Sequence, residues 1–404
     1  MLRFGVVCAL LCAACYRPAH ERVCQVACVF GDPDRAVCPG SLTCGENNLC
    51  FDDQECAAPV DAGDDDASDA FVPPDCLNTT LSGNYCPIAF HPGTFTLRGA
   101  PVLDTDGADC DEVTPLRGLM VCVIAADNIA IADDVIPAGS RPLLLLARDS
   151  ITVSGTLDLS NGGAGSGGAC AATINGTNGA TNTVSASGGP GGSQSGVGGK
   201  GGAQNGLQPI ASNVNTGIDK LRGGCPGGTG GNSGGAGGAG GGSVEMAAGR
   251  VISVTGTIYA YGASGHGAAA TAGQTAGGGG GGSGGLVLLE APTLNVGPTG
   301  VILAHGGAGG GGALSGNASN GAEANIANGS AALGGMAVGT TSGAGGNGSG
   351  NGAAAMPGKN ATAANASGGG GGGGPGAIRI FSSVLTQMPG SSIHPTPSLN
   401  PLPQ

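Results

Sequence analysis

The chain has 404 residues, of which 87 are Gly, 7 Phe, 4 Tyr and none Trp, so its usable apolar core is smaller than its length suggests. The formal net charge is −13, and the 14 Lys and Arg form no run, which argues against a phosphate-binding surface and excludes nucleic acid as an expected partner. No segment has the length and apolarity of a transmembrane helix, so membrane attachment would have to be through lipid.

Residues 1–15 read MLRFGVVCALLCAAC. Arg3 supplies a minimal basic start, and 4–14 is an apolar stretch of signal-peptide length. Ala13 and Ala14 precede Cys15 in a pattern that resembles a bacterial lipoprotein signal, in which the cysteine is lipidated and becomes the mature N-terminus. Cys12 departs from the Leu usual in that motif, and an ordinary cleaved secretory signal is the alternative. Tyr16 stands where an Asp would retain such a protein at the inner membrane, so the resemblance implies an outer-membrane or cell-surface lipoprotein.

Twelve cysteines follow Cys15, an even number that in an exported chain reads as a disulfide framework. Cys24, Cys28, Cys38, Cys44, Cys50 and Cys56 define a module over 16–56 whose small core needs staples, each worth about 2–4 kcal/mol. Zinc would want short paired spacings and His, and neither is there. Residues 57–75 form an acidic Asp/Ala/Pro linker. Its Asp64–Asp66 run lacks the Gly and Glu of a calcium loop. Residues 76–118 are rich in turn signals, and Cys76, Cys86, Cys110 and Cys122 are expected to close two bridges that staple this lead-in.

Periodicity begins at 119 and continues to 394. Related units start near Val121, Arg141, Val244, Leu286 and Ala377. Each has a short apolar strand, a break, an alternating strand, a Gly corner and another alternating strand. In one copy Ile151, Val153, Leu157 and Leu159 point inward, matched by Ile252, Val254, Ile258 and Ala260 in the next. Gly155 is expected to sit over Gly256 at the corner. A repeated unit of about 20 residues with Gly corners predicts a mostly β fold, a short single-chain β-solenoid resembling a parallel β-helix. A β-sandwich is the alternative. Residues 395–404 read as a Pro-rich tail.

Long Gly-rich insertions fill 162–242, 262–285 and 306–376, each between the last strand of one unit and the first of the next. They should therefore leave from one edge of the stack. Backbone entropy predicts flexible loops, because ordered glycine loses more freedom than any other residue. Packed left-handed polyglycine helices are the ordered alternative, helped by a bridge between Cys170 and Cys225.

Three stretches carry a resemblance: Cys110-Asp-Glu-Val-Thr, the run from Arg141 through Ser160, and Leu221-Arg-Gly-Gly-Cys with the poly-Gly that follows. They resemble glycine-rich exported, lipoprotein-like proteins of myxobacteria, a group that implies no activity and transfers no functional residues.

Apparent chemistry dissolves on inspection. Gly231-Asn-Ser-Gly-Gly and Gly281-Gly-Ser-Gly-Gly match a hydrolase nucleophile pattern, but no strand-to-helix turn surrounds them. His266, His305 and His394 each follow a strand, yet they share no column of the repeat, so no metal site is expected. No cofactor and no catalytic residue is assigned. The sequence therefore predicts a non-enzymatic, lipid-anchored surface protein with a structural, coat or adhesive role. One alternative is a binding module for a repetitive target, polysaccharide or ice. It would use an outward ladder of Thr152, Ser154, Thr156, Ser253, Thr255 and Thr257. A second alternative, a β-helix carbohydrate-active enzyme, rests on Glu245 and Glu290 in adjacent copies.

Overall fold

Alternating apolar residues become stacked parallel strands. The computed structural model describes residues 43–44, 50–51, 76–80, 83–97, 102–167, 170, 178–182, 185–204, 209, 220–324 and 329–402. The chain divides into a unit over 1–71 and a unit over 72–404. In the first, Cys44 lies opposite Cys50 in a two-residue antiparallel ladder. The expected signal peptide with Cys15, the expected acidic linker and the disulfides expected in the Cys-rich module lie outside the described residues.

The second unit is all β among its described residues, with no α-helix. Its first passes are Leu119–Ile131 with Asp134–Val135, and Leu143–Val153 with Thr156–Asp158. Ser243–Ala248, Val251–Val254 and Thr257–Tyr259 follow. Leu286–Glu290, Thr293–Val296 and Val301–Leu303 come next, then Ala377–Phe381, Val384–Gln387 and Ser392–His394. Each strand pairs in parallel with its counterpart in the next pass, in sequence order. The result is a large curled, mainly parallel sheet with a second five-stranded parallel sheet beside it.

The register explains the core. Ile151 lies opposite Ile129 on one side and Ile252 on the other, and Ile252 lies opposite Leu294. These side chains join Val153, Leu157, Leu159, Val254 and Ile258 in one buried interior cluster. The run Leu143–Leu146 does not alternate because both of its faces are covered. Leu143 and Leu145 face the interior, whereas Leu144 and Leu146 pack outward with Tyr85, Val121 and Phe381.

The lead-in and the tail are more regular than expected. His91–Leu97 adds in parallel to Leu119–Ile131, and Glu112–Leu116 adds antiparallel to the same strand. Leu77, Phe90, Leu116 and Leu119 cover the outer apolar face. Ser398–Asn400 pairs with Ala377–Phe381, so the Pro-rich tail extends the stack. The bridges Cys76–Cys86, Cys110–Cys122 and Cys170–Cys225 are all formed. Gly256 does pack on Gly155, but neither has a positive φ. What requires glycine at Gly256 is the Gly155 carbonyl, which occupies the place of a Cβ.

The glycine blocks overturn the expectation of flexible loops wherever they are described. Segment 277–285 hydrogen-bonds to six others. Gly277, Gly280 and Ser283 donate to the carbonyls of Gly231, Gly228 and Cys225. Gly278, Gly281 and Gly284 donate to those of Gly368, Gly371 and Gly374. Gly279, Gly282 and Gly285 donate to those of His266, Ala263 and Ala260. Its own carbonyls accept from Gly189 and Gly192, from Gly235, Gly238 and Gly241, and from Gly307 and Gly310. Every third residue thus faces the same neighbour, and no glycine in the segment has a positive φ. That is the left-handed, three-residue helix of the polyproline II class.

Segments 306–312 and 368–376 bond to 277–285 and to each other, so these three form the inside of a bundle. Their glycine is nearly unbroken. Around them run 187–192, 197–203, 223–231, 234–241, 260–268, 317–322, 332–338, 343–349 and 356–361. Several of these read Gly-Gly-X, with X at Lys200, Ala236, Ala239, Met336 and Asn347. A Cβ at Gly279, Gly280 or Gly281 would overlap the carbonyls of Ala236, Pro190 or Gly307, whereas X positions such as Lys200, Ala236 and Met336 reach solvent.

Gly280→Ala therefore reverses the usual effect of this substitution. Gly→Ala ordinarily stabilises by about 0.4–1 kcal/mol through the unfolded chain, but here overpacking should cost about 1–3 kcal/mol. Ala236→Ser on an edge helix should stay within about 0.5 kcal/mol of wild type. Denaturant unfolding of the two variants checks this, and equal stabilities would refute the packed lattice.

Candidate functional site

The six residues of the expected ladder do not form one row. Thr152 lies opposite Ser253 in the large sheet, and Thr156 lies opposite Thr257 in the smaller one. Ser154 and Thr255 sit at the corner between them. Their hydroxyls donate back to the carbonyls of Ile131 and Val153, at 3.5 and 3.4 Å. The Thr257 hydroxyl is buried. The corner hydroxyls thus tie each pass to the one before it.

A longer row was missed. Through Thr152 the register connects Thr96, Ala130, Thr152, Ser253, Asn295 and Thr386 across six adjacent parallel strands. A second row beside it joins Thr94, Asn128, Ser150, Val251, Thr293 and Val384. Ser150 donates to Asn128 Oδ1 at 2.5 Å within this second row. Both rows are exposed or half-exposed throughout. The signal was a small polar residue at matching positions of most copies, broken by Ala130 in the first row and by Val251 and Val384 in the second, and visible only if Asn is counted with Ser and Thr. Along one border of this face, Arg148 pairs with Asp127 at 2.9 Å, and Arg250 grips Asp149 through two nitrogens. Asp127 is held below the usual carboxylate range, first by the Gly93 N–H and then by Arg148.

The two glutamates are buried beneath the lead-in side of the sheet, at 0% and 3% exposure. The register places Glu245 opposite Leu288 and Glu290 opposite Ala247, so they are out of step by two residues. Glu290 accepts the Thr80 N–H on both oxygens, at 3.0 and 2.9 Å, and burial raises its pKa. It fastens the hairpin at Thr80 to the sheet and presents no carboxylate to a polysaccharide.

Of the three histidines, His266 stands exposed on segment 260–268. His305 and His394 come together, with ring centroids 5.9 Å apart. Leu303 pairs with His394, so His305, two residues further on, falls diagonally beside it. His305 is 1% exposed, and neither imidazole nitrogen has a hydrogen-bond partner among the described residues. Among those residues no group of three or more His, Cys, Asp or Glu is placed to hold a metal ion.

Burial, with repulsion from His394 behind it, pushes the His305 pKa down from the ordinary 6.5 to about 4. The folded imidazole is neutral at neutral pH, and the unfolded chain binds the proton more readily. The stability this contributes is present above about pH 6.5 and is lost as pH falls toward 4, about 3 kcal/mol in all. Unfolding free energies at pH 7 and pH 4 should therefore fall further for wild type than for His305→Leu. Parallel curves for the two proteins would refute a buried neutral imidazole.

No protein-family model, curated protein or solved structure matches the chain, so what the protein does has to be read from its own geometry.

Proposed function

We propose that the chain is a short β-solenoid carrying a polyglycine-helix bundle on one edge, exported and held by lipid on Cys15, and that it works as a non-enzymatic display and adhesion protein at the cell surface. The observation that carries this reading is the bundle's outline. Its edge helices place side chains outward at three-residue intervals from a backbone lattice. Segments 332–338, 343–349 and 356–361 run side by side. They expose Leu333, Met336 and Met356 by 64%, 74% and 52% in a chain with few large apolar residues to spare. Exposed apolar side chains grouped in this way mark a contact surface. The disulfides agree with an oxidising compartment.

A second reading keeps the module for a repetitive target such as a polysaccharide or ice. The run Thr152, Ser253, Asn295 and Thr386 over four adjacent parallel strands favours it, because strand spacing repeats these small polar groups about every 4.8 Å.

One set of strains separates these readings. Wild type should take up labelled palmitate and fractionate with the outer membrane, and Cys15→Ser should lose both; label that persists in Cys15→Ser would overturn the anchor. Met336→Lys/Met356→Lys should stay folded and anchored but lose adhesion to surfaces. Thr152→Lys/Thr386→Lys should adhere normally under the first reading and lose retention on glycan or ice under the second. Full adhesion by the methionine variant would end the first reading.

A further inference from the structure

We propose that two copies of this chain join end to end at the last pass of the stack, with Val384–Gln387 of each pairing antiparallel with the same strand of the other about a two-fold axis at Thr386. The feature behind this is an unguarded strand edge. Among the described residues Ser398–Asn400 covers the first strand of the last pass, and no strand pairs with the outer edge of Val384–Gln387 or of Ser392–His394. Val384 and Met388 donate to the carbonyls of Pro292 and Val296. The alternation of a parallel strand therefore turns the N–H and carbonyl groups of Leu385 and Gln387 outward.

Three observations point to a second copy as the occupant. The first is that the two ends of the stack are built differently. At the first end, His91–Leu97 contains Pro92, its pairing slips register between His91 and Thr94, and the pass behind it carries exposed Asp133 and Asp134. Proline, a bulge and charge are the devices that keep strand edges from pairing. Val384–Gln387 has none of them. Its register with Thr293–Val296 is continuous, and residues 380–402 hold no Asp, Glu, Lys or Arg. The second is charge. At a net −13 two copies repel each other, and a contact through a face without these residues avoids setting like charges against one another. The bulged, acidic first end offers a poorer edge, so last end meets last end, and such a contact closes as a dimer instead of growing into a filament. The third is self-complementarity. When Leu385 exchanges hydrogen bonds with the partner's Gln387, Thr386 lies opposite the partner's Thr386. Half-exposed Val384 then lies against the partner's Met388, which is half-exposed as well, and both leave water.

Across the axis, the polar run of Thr152, Ser253, Asn295 and Thr386 continues into the same run of the other copy. The dimer rests on neither reading of function and survives the failure of both.

The test uses the full chain in a density-matched mild detergent, by analytical ultracentrifugation and by disulfide trapping with diamide. Wild type should sediment as a dimer at about 0.1 mM. Thr386→Lys sets two ammonium groups opposite each other and should weaken the dimer about tenfold while leaving the unfolding temperature unchanged. Thr386→Cys should cross-link to its own counterpart, because residues opposed at such a pair have Cα atoms about 4.5 Å apart. Gln387→Cys should not, because it lies opposite the partner's Leu385 and its own counterpart is too distant for a disulfide. The proposal is overturned if wild type is a monomer, the outcome if another segment of this chain or a foreign strand takes the edge. It is equally overturned if Thr386→Lys dimerises undiminished, or if Gln387→Cys cross-links as readily as Thr386→Cys.

Discussion

Two kinds of extended chain hydrogen-bond at one common spacing, and the rest of the molecule depends on it. Parallel strands sit about 4.8 Å apart, and polyglycine helices linked by the same N–H to carbonyl bond stand at a similar distance. A pass of the sheet can therefore run into a helix of the bundle without changing its distance from its neighbours. Segment 234–241 leads through Gly242 into Ser243–Ala248, 277–285 into Leu286–Glu290, and 368–376 into Ala377–Phe381. The first of these helices bonds to the second and the second to the third, as the strands they feed do. Stack and bundle share one lattice. The same closeness is what forbids a Cβ inside the bundle.

Such a lattice does not stand on hydrogen bonds alone. A bond returns about 0.5–1.5 kcal/mol net, and fixing a residue's backbone costs about 1–2 kcal/mol, more for glycine. Order has to be imposed at the ends of each helix. The apolar stack does this, because 260–268 and 306–312 begin at strands whose inward side chains, Ile258 and Ile302, are buried in the core. Cys170–Cys225 closes the longest insertion within its own length. Once the ends are set, every glycine N–H in the three interior segments has an acceptor, and every glycine carbonyl except those of Gly284 and Gly306 accepts a hydrogen bond among the described residues, as a buried backbone requires.

The stack was legible because its signal is local. Ile151, Val153 and Leu157 alternate with polar residues, and the next copy repeats them. The bundle was not, because its partners lie far apart in sequence: Gly278 meets Gly368, and Gly189 meets Gly278. Propensity weighs each block by itself, and singly each would be disordered. A finer pattern was nevertheless present. Unbroken glycine at 277–282 and 368–374 marks helices surrounded on all sides, and Gly-Gly-X at 234–239 marks an edge. Corners also misled. Thr156 looked continuous with Thr152, but two sheets meet between them. His305 and His394 share no column of the repeat, and yet a diagonal across paired strands brings their rings together.

A surface or cavity made from this lattice differs from one made of side chains. Most binding sites lose rotamer freedom on closing around a ligand, and that loss subtracts from affinity. Here the glycine backbone at positions such as Gly280, Gly309 and Gly371 has no rotamers to lose. The edge helices hold Leu333, Met336 and Met356 at intervals set by a backbone that Gly280 and its neighbours lock from within. Rigidity at such positions ordinarily comes from aromatic packing, which this chain has almost none to supply. Glycine, the residue least suited to order by itself, takes over that role once three insertions are fed into one lattice.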